Sequence, residues 1–212
     1  MLVGSLLAGV GAARTASGEG FAGQDLRGRS FASQDLTGAD FTGADLRGTT
    51  FWKANLTGAS MAMANLTGAN LYTAILVRTD LSGADMRGVT LSGAVIEGAN
   101  LAGATLTGAT LHAANLAGAI MRGIMARDAT FVSASLRGTD CYAASFRGAN
   151  LKWADMGNAS LVEASLVAAV LSGASLDGSD LVGANLSDAI GVDLVGARWD
   201  ETTRGIEPEG TR

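Results

Sequence analysis

The sequence predicts a repeat solenoid, and three observations carry that prediction. A large apolar residue stands at every fifth position from Phe21 to Leu186. Of these 34 positions, 32 are Leu, Ile, Met or Phe, and the exceptions are Ala126 and Cys141. Two residues before each such centre, 24 of the 34 positions are Ala. The frame never slips over this span. A period of five is neither helical nor that of a plain strand, so neither amphipathic pattern applies. Fixed self-similarity of this kind marks a repeat architecture.

The unit has an internal grammar. Before the centre sits a small polar residue, as in Asp40, Asp45, Asn55 and Asn65, and two residues after it Gly dominates, as in Gly38, Gly43, Gly48 and Gly58. The consensus Ala-(Asp/Asn)-Leu-x-Gly resembles the pentapeptide repeat family over about four-fifths of the chain. Each repeated residue type must meet the same surroundings in every copy. The centre and the preceding Ala therefore face a core, and the other three positions face water. Gly at the turn accepts positive φ without a Cβ clash. The resemblance implies an all-β fold, a right-handed quadrilateral β-helix with four units, or 20 residues, per coil. Thirty-four units then give about 8–9 coils. At the ordinary inter-strand spacing the rod is roughly 40 Å long.

Residues 1–20 do not repeat. The apolar stretch Met1, Leu2, Val3, Leu6, Leu7 and Val10 lacks the basic flank of an export signal. The favoured reading is an N-terminal cap, which an open solenoid end requires, and the alternative is an export or membrane-anchor remnant over residues 1–13. Residues 21–188 form the β-helix. Within them, Ile124 and Ala126 exchange the small and large positions, which keeps core volume roughly constant. Residues 189–212 read as a C-terminal cap and tail. The step from Leu186 to Leu194 is eight, read as three inserted residues, with Trp199 expected over the core. The one proline, Pro208, falls beyond the repeat, as a backbone that donates to its neighbours demands.

Composition bounds the function. The net charge is −5, which disfavours nonspecific nucleic-acid binding. Mean hydropathy is +0.27, but much of the apolar content is Ala. No stretch approaches the ~20 residues of a spanning helix, and no membrane partner is expected. The single cysteine, Cys141, occupies a core position. It points to a buried hydrophobe and a reducing, cytoplasmic setting. The lone histidine, His112, faces outward without a partner, and no nucleophile, phosphate-loop or metal-ligand spacing occurs. No catalytic residue, metal or cofactor is expected, and the chain does not read as an enzyme.

With 20 residues per coil, residues 20 apart form columns. Arg27, Arg47, Arg87, Arg127 and Arg147 share one column, with Asp25, Asp45 and Asp85 two residues earlier. A salt-bridged wall is the favoured reading, and a basic stripe for an anionic partner the rival. Another column holds Asp40, Asp80, Asp140 and Asp180. A third reads Trp52, Tyr72, Ser92, His112, Val132 and Lys152, a possible contact ridge. In a fourth, Tyr142, Val162 and Val182 follow one another, with Val167 and Val170 nearby, a candidate homodimer interface.

The resemblance implies a protein-binding role. Some pentapeptide repeat proteins mimic duplex DNA and bind DNA gyrase or related type II topoisomerases, protecting them against poisons. That is the most specific expectation. A generic scaffold for an unrelated protein, or direct nucleic-acid binding through the Arg stripe, are the alternatives. Duplex DNA of ~40 Å carries roughly 24 negative charges. Here 20 acidic residues are offset by 15 basic ones, so mimicry requires the signs to be separated by face.

Overall fold

The computed structural model describes residues 20–206. The N-terminal segment expected to cap the rod lies outside the described residues, as does Pro208. From Gly20 to Val170 every fifth residue makes a parallel bridge to the residue 20 further on, as in Asp40↔Ser60 and Asp45↔Asn65, the last reaching Ile190. Each coil is therefore 20 residues with four corners, and its columns stay in register along the rod.

The hydrogen bonds of one unit explain the grammar. In Leu46–Thr50, the Leu46 N–H donates to Asn65 O in the next coil (2.7 Å), and the Gly48 N–H to Thr67 O (3.1 Å). The Thr50 N–H donates back to Arg29 O in the previous coil (2.9 Å), and the Thr49 N–H closes a turn on Leu46 O (3.1 Å). Only the Arg47 N–H lacks a main-chain partner, and Asp45 Oδ1 accepts it at 3.3 Å. The same cap recurs at Asp40 to Thr42, Asn55 to Thr57 and Asn70 to Tyr72. Asp or Asn before the centre thus satisfies the one donor that coil stacking leaves over. The third turn residue holds positive φ, which Gly supplies at Gly48 without strain (φ 64°).

Because the turn takes up most of each unit, only about two residues per side remain extended. The bridges among the described residues are consequently isolated, and no longer strand forms.

Centres and alanines bury almost completely in one core running the length of the rod. At its N-terminal end Phe21 stacks on Phe41 (4.7 Å between centroids) and Phe31 on Phe51 (5.1 Å). The two stacks meet edge to face. Where Thr or Ser replaces the inward Ala, its hydroxyl donates to a carbonyl: Thr49 to Leu46, Thr79 to Leu56, Thr139 to Leu136, Ser179 to Leu176. No polar side-chain atom is left buried and unpartnered among the described residues. Ile124 and Ala126 are both fully buried while Met125 keeps its bridges to Thr105 and Ser145. The size swap therefore costs no change of register.

The C-terminal end corrects two expectations. Asp180 bridges Arg198, 18 residues on, and Asn185 bridges Arg204, 19 on. The last coil is thus shortened by two residues before Leu194, not lengthened by three, and one residue is regained near Asp200. Trp199 does not cover the core but is 47% exposed. Val192, Leu194, Ala197 and Ile206 pack there instead. Trp199 keeps the five-residue step from Leu194, but the next turn closes one place later, with the Thr203 N–H on Asp200 O (3.0 Å), and Trp199 is left outside it.

Candidate interaction walls

Four walls follow from the columns. The first carries the centres Phe21, Phe41 and Met61. The second carries Leu26, Leu46 and Leu66, the third Phe31, Phe51 and Leu71, and the fourth Leu36, Leu56 and Leu76. The first and third lie across the core from each other.

The Arg column on the second wall is tied down. Arg27, Arg47 and Arg87 each donate Nε (2.8 Å) and Nη2 (2.6 Å) to Asp25, Asp45 and Asp85 of their own units. Arg27 also reaches Asp45 of the next coil at 3.6 Å. These guanidinium bonds hold the Asp25 carboxyl at a pKa of about 2, and lower Asp45 and Asp85 in the same way. Arg127 pairs with Asp128 at 3.2 Å. Arg147, in the same column, is exposed and makes no ion pair among the described residues. The salt-bridged wall is what the structure contains.

The acidic column of the first wall divides. Asp40 caps Thr42, which lowers its pKa through the Thr42 hydroxyl and N–H. Asp80 accepts from the Ser82 N–H (3.0 Å) and from Asn100 Nδ2 (3.1 Å). Asp140 is held by Arg122, and Asp180 by Arg198 at 2.7 Å. Half of this column is thus paired with a cation.

Tyr142, Val162 and Val182 stack on the first wall, linked by Ala143 N–H to Val162 O and Glu163 N–H to Val182 O. Tyr142 is 40% exposed and its hydroxyl donates to Glu163 (2.8 Å). The valines are half-buried, as are Val167 on the neighbouring second wall and Val170, which lies across the core on the third. Cys141 beneath them is fully buried, and desolvation pushes its thiol up to about 12, beyond ordinary nucleophilic use.

The third wall holds what the column reading missed. Beside Trp52, Tyr72 and His112, the next outward position presents Lys53 and Trp153. The signal was available: the second residue after each centre forms its own column, and along the third wall it contains no acidic residue.

Coils of 20 residues with four corners, stacked through parallel bridges and without long loops, define a β-solenoid of five-residue units. The pentapeptide repeat family profile matches in eight copies, spanning residues 21–123 and 127–188. The chain belongs to the pentapeptide repeat family. The unmatched residues 124–126 contain the Ile124/Ala126 size swap. Comparison with curated protein sequences found no match. Among solved structures, the chain is similar to the full-length plasmid-mediated fluoroquinolone resistance protein QnrB1. That pair is 15% identical, with 84% of this chain and 92% of the other covered and a TM-score of 0.49. A second is HetL, a pentapeptide repeat protein involved in heterocyst differentiation regulation in the cyanobacterium Nostoc sp. strain PCC 7120. It is 30% identical over 85% of each chain, with a TM-score of 0.35. A third is a pentapeptide repeat protein of the Arabidopsis thaliana thylakoid lumen, 38% identical over 49% of this chain and 69% of that one, with a TM-score of 0.27.

Proposed function

We propose that the chain is a non-catalytic scaffold, wound in the right-handed quadrilateral sense of its family, that binds a protein partner along its walls. The observation carrying this reading is the unbroken 20-residue register from Gly20 to Ile190. It presents continuous columns of side chains, with every coil built alike. The partner we propose is DNA gyrase or a related type II topoisomerase, in the cytoplasm, with protection against a poison as the consequence. Family membership supports this, together with the exposed Asp40 and the Asp80 carboxylate, which makes no ion pair among the described residues. Arg122 and Arg198, which neutralise Asp140 and Asp180, weigh against a full DNA-like charge pattern.

The test is a supercoiling and poison-induced cleavage assay across several bacterial type II topoisomerases. Micromolar protein should inhibit supercoiling or reduce cleavage in competition with DNA, more weakly at high salt. Asp40→Lys with Asp80→Lys should lose the effect while the melting temperature holds. No effect on any of them would leave the generic protein scaffold as the better reading.

A further inference from the structure

The four walls differ in charge more than their shared repeat requires. No carboxylate among the described residues lies on the third wall, whereas the other three all carry Asp. Both lysines of the chain, Lys53 and Lys152, and its one histidine, His112, lie there. Neither lysine enters an ion pair among the described residues, unlike most of the arginines elsewhere. The same wall carries Trp52, Tyr72 and Trp153, exposed by 40%, 45% and 67%.

These aromatics are placed as platforms. The indole of Trp153 lies over Gly173 of the next coil, so closely that a Cβ there would fall inside the ring. One face is thus supported by backbone and the rest is open to solvent. Lys53 Nζ sits 4.7 Å from the Trp52 ring centre, so a cation and a π-face are presented together. Trp52 and Tyr72 occupy the same position in consecutive coils, and Lys152 lies five coils beyond Trp52, roughly 24 Å at ordinary inter-strand spacing. Between them lie mostly small polar residues, Thr90, Ser92, Thr110 and Thr130, with His112 and a half-buried Val132. A protein interface would centre on one contiguous apolar cluster. Separated π-platforms and cations along a line suit an extended polyanion that carries its own rings.

We propose that the third wall binds single-stranded nucleic acid, stacking bases on Trp52, Tyr72 and Trp153 and placing phosphates near Lys53, Lys152 and His112. Stacking of this kind is tolerant of sequence. The net charge of −5 does not prevent it. The acidic column of the first wall is across the core, and the Debye length is ~8 Å at physiological salt. Of the two adjoining walls, the second has Asp25, Asp45 and Asp85 paired with arginines, and the fourth has Asp155 paired with Arg137 beside Asp35, Glu97 and Asp177, which make no ion pair among the described residues. The site is distinct from the arginine column and does not rest on the topoisomerase reading.

The test uses the full chain with fluorescein-labelled dT20 and rU20, a 20-base-pair duplex, heparin and poly-glutamate as probes. Both single strands should bind in the micromolar range, more tightly than the duplex or heparin, with quenching of tryptophan fluorescence. With two or three cations engaged, log K should fall against log salt with a slope of about −1.4 to −2. Trp52→Ala, Tyr72→Ala and Trp153→Ala should each weaken binding about fivefold or more, the size of a lost base stack. Arg27→Ala with Arg47→Ala should leave it within twofold. Absence of single-strand binding at 100 µM (about fifty times the expected affinity on the stacking scale) would overturn the proposal. So would equal affinity for heparin, binding that survives loss of all three aromatics in a folded variant, or preference for poly-glutamate. The supercoiling assay fails or succeeds independently of every one of these outcomes.

Discussion

At the scale of single residues, the repeat is governed by two positions. The residue before the centre is Asp or Asn because its side chain takes the one main-chain donor that stacking leaves free, as Asp45 does for Arg47. Lowered carboxyl pKa values at Asp25, Asp35, Asp40, Asp45 and Asp85 follow first from the side chain two residues on (Arg27, Thr37, Thr42, Arg47 and Arg87) and then from that cap. A folded pKa below the unfolded value of ~3.9 means stability that is complete above that pH and lost as pH falls towards about 2. Thermal melts should therefore fall between pH 4 and pH 2, and a flat profile across that window would contradict a stabilising role for the bonds these carboxylates accept. The second governing position is the left-handed turn residue. There the side chain of one coil rests over the same position of the next, and several bulky residues are followed by Gly: Met63 by Gly83, Asp128 by Gly148, Trp153 by Gly173. Gly173→Ala combines positive φ (74°) with a clash against the Trp153 ring. It should cost more than about 1 kcal/mol, and less when Trp153 is also changed to Ala. Equal cost in both backgrounds would show that the ring does not matter.

At the scale of the unit, the five-residue register was fully legible in the sequence, because apolar size at every fifth place has no competing period. The inward Ala was equally legible, and the Ile124/Ala126 exchange was readable as conserved volume. Cap and turn contacts between coils were not, because they depend on which atom of a neighbouring coil is left without a partner. The C-terminal path was misread for a related reason. A step of eight can be five plus three or ten minus two, and only the bridge from Asp180 to Arg198 decides between them. The register itself makes a prediction. One residue inserted between Leu101 and Leu106 shifts every later centre relative to its coil, breaking donors to both neighbours. It should lower Tm more than any alanine substitution at an outward position, and comparably to Leu106→Asp, which buries an unpaired charge. An unchanged Tm for the insertion would mean that the register is not structural.

At the scale of the whole molecule, the walls matter more than any one unit. Columns were assignable from a period of 20 in the sequence, and Tyr142, Val162 and Val182 do stack. Charge was less legible, because the pairing of Asp140 with Arg122 crosses between coils. We propose that the Tyr142, Val162 and Val182 column, with Val167 beside it, meets a second copy of the chain. Sedimentation at tens of micromolar should show a dimer (the range in which an interface of modest apolar area is populated), and Val162→Glu with Val182→Glu should give monomers. A monomeric wild type, or a double variant that still dimerises, would remove the column as an interface.

The bridges from every fifth residue to the one 20 further on also make length and orientation separable variables. Excising 20 residues, for instance 84–103, returns every later side chain to the wall it came from and leaves a rod one storey shorter. Excising five leaves the core pattern intact but turns everything downstream by a quarter revolution, so that Trp153 would face the wall adjoining that of Trp52. A gene encoding such a chain can therefore grow or shrink by whole storeys without re-aiming its surfaces. Any smaller multiple of the unit re-aims them while still folding. The molecule behaves as a stack of interchangeable floors in which a tenant's outlook is set by the count beneath it.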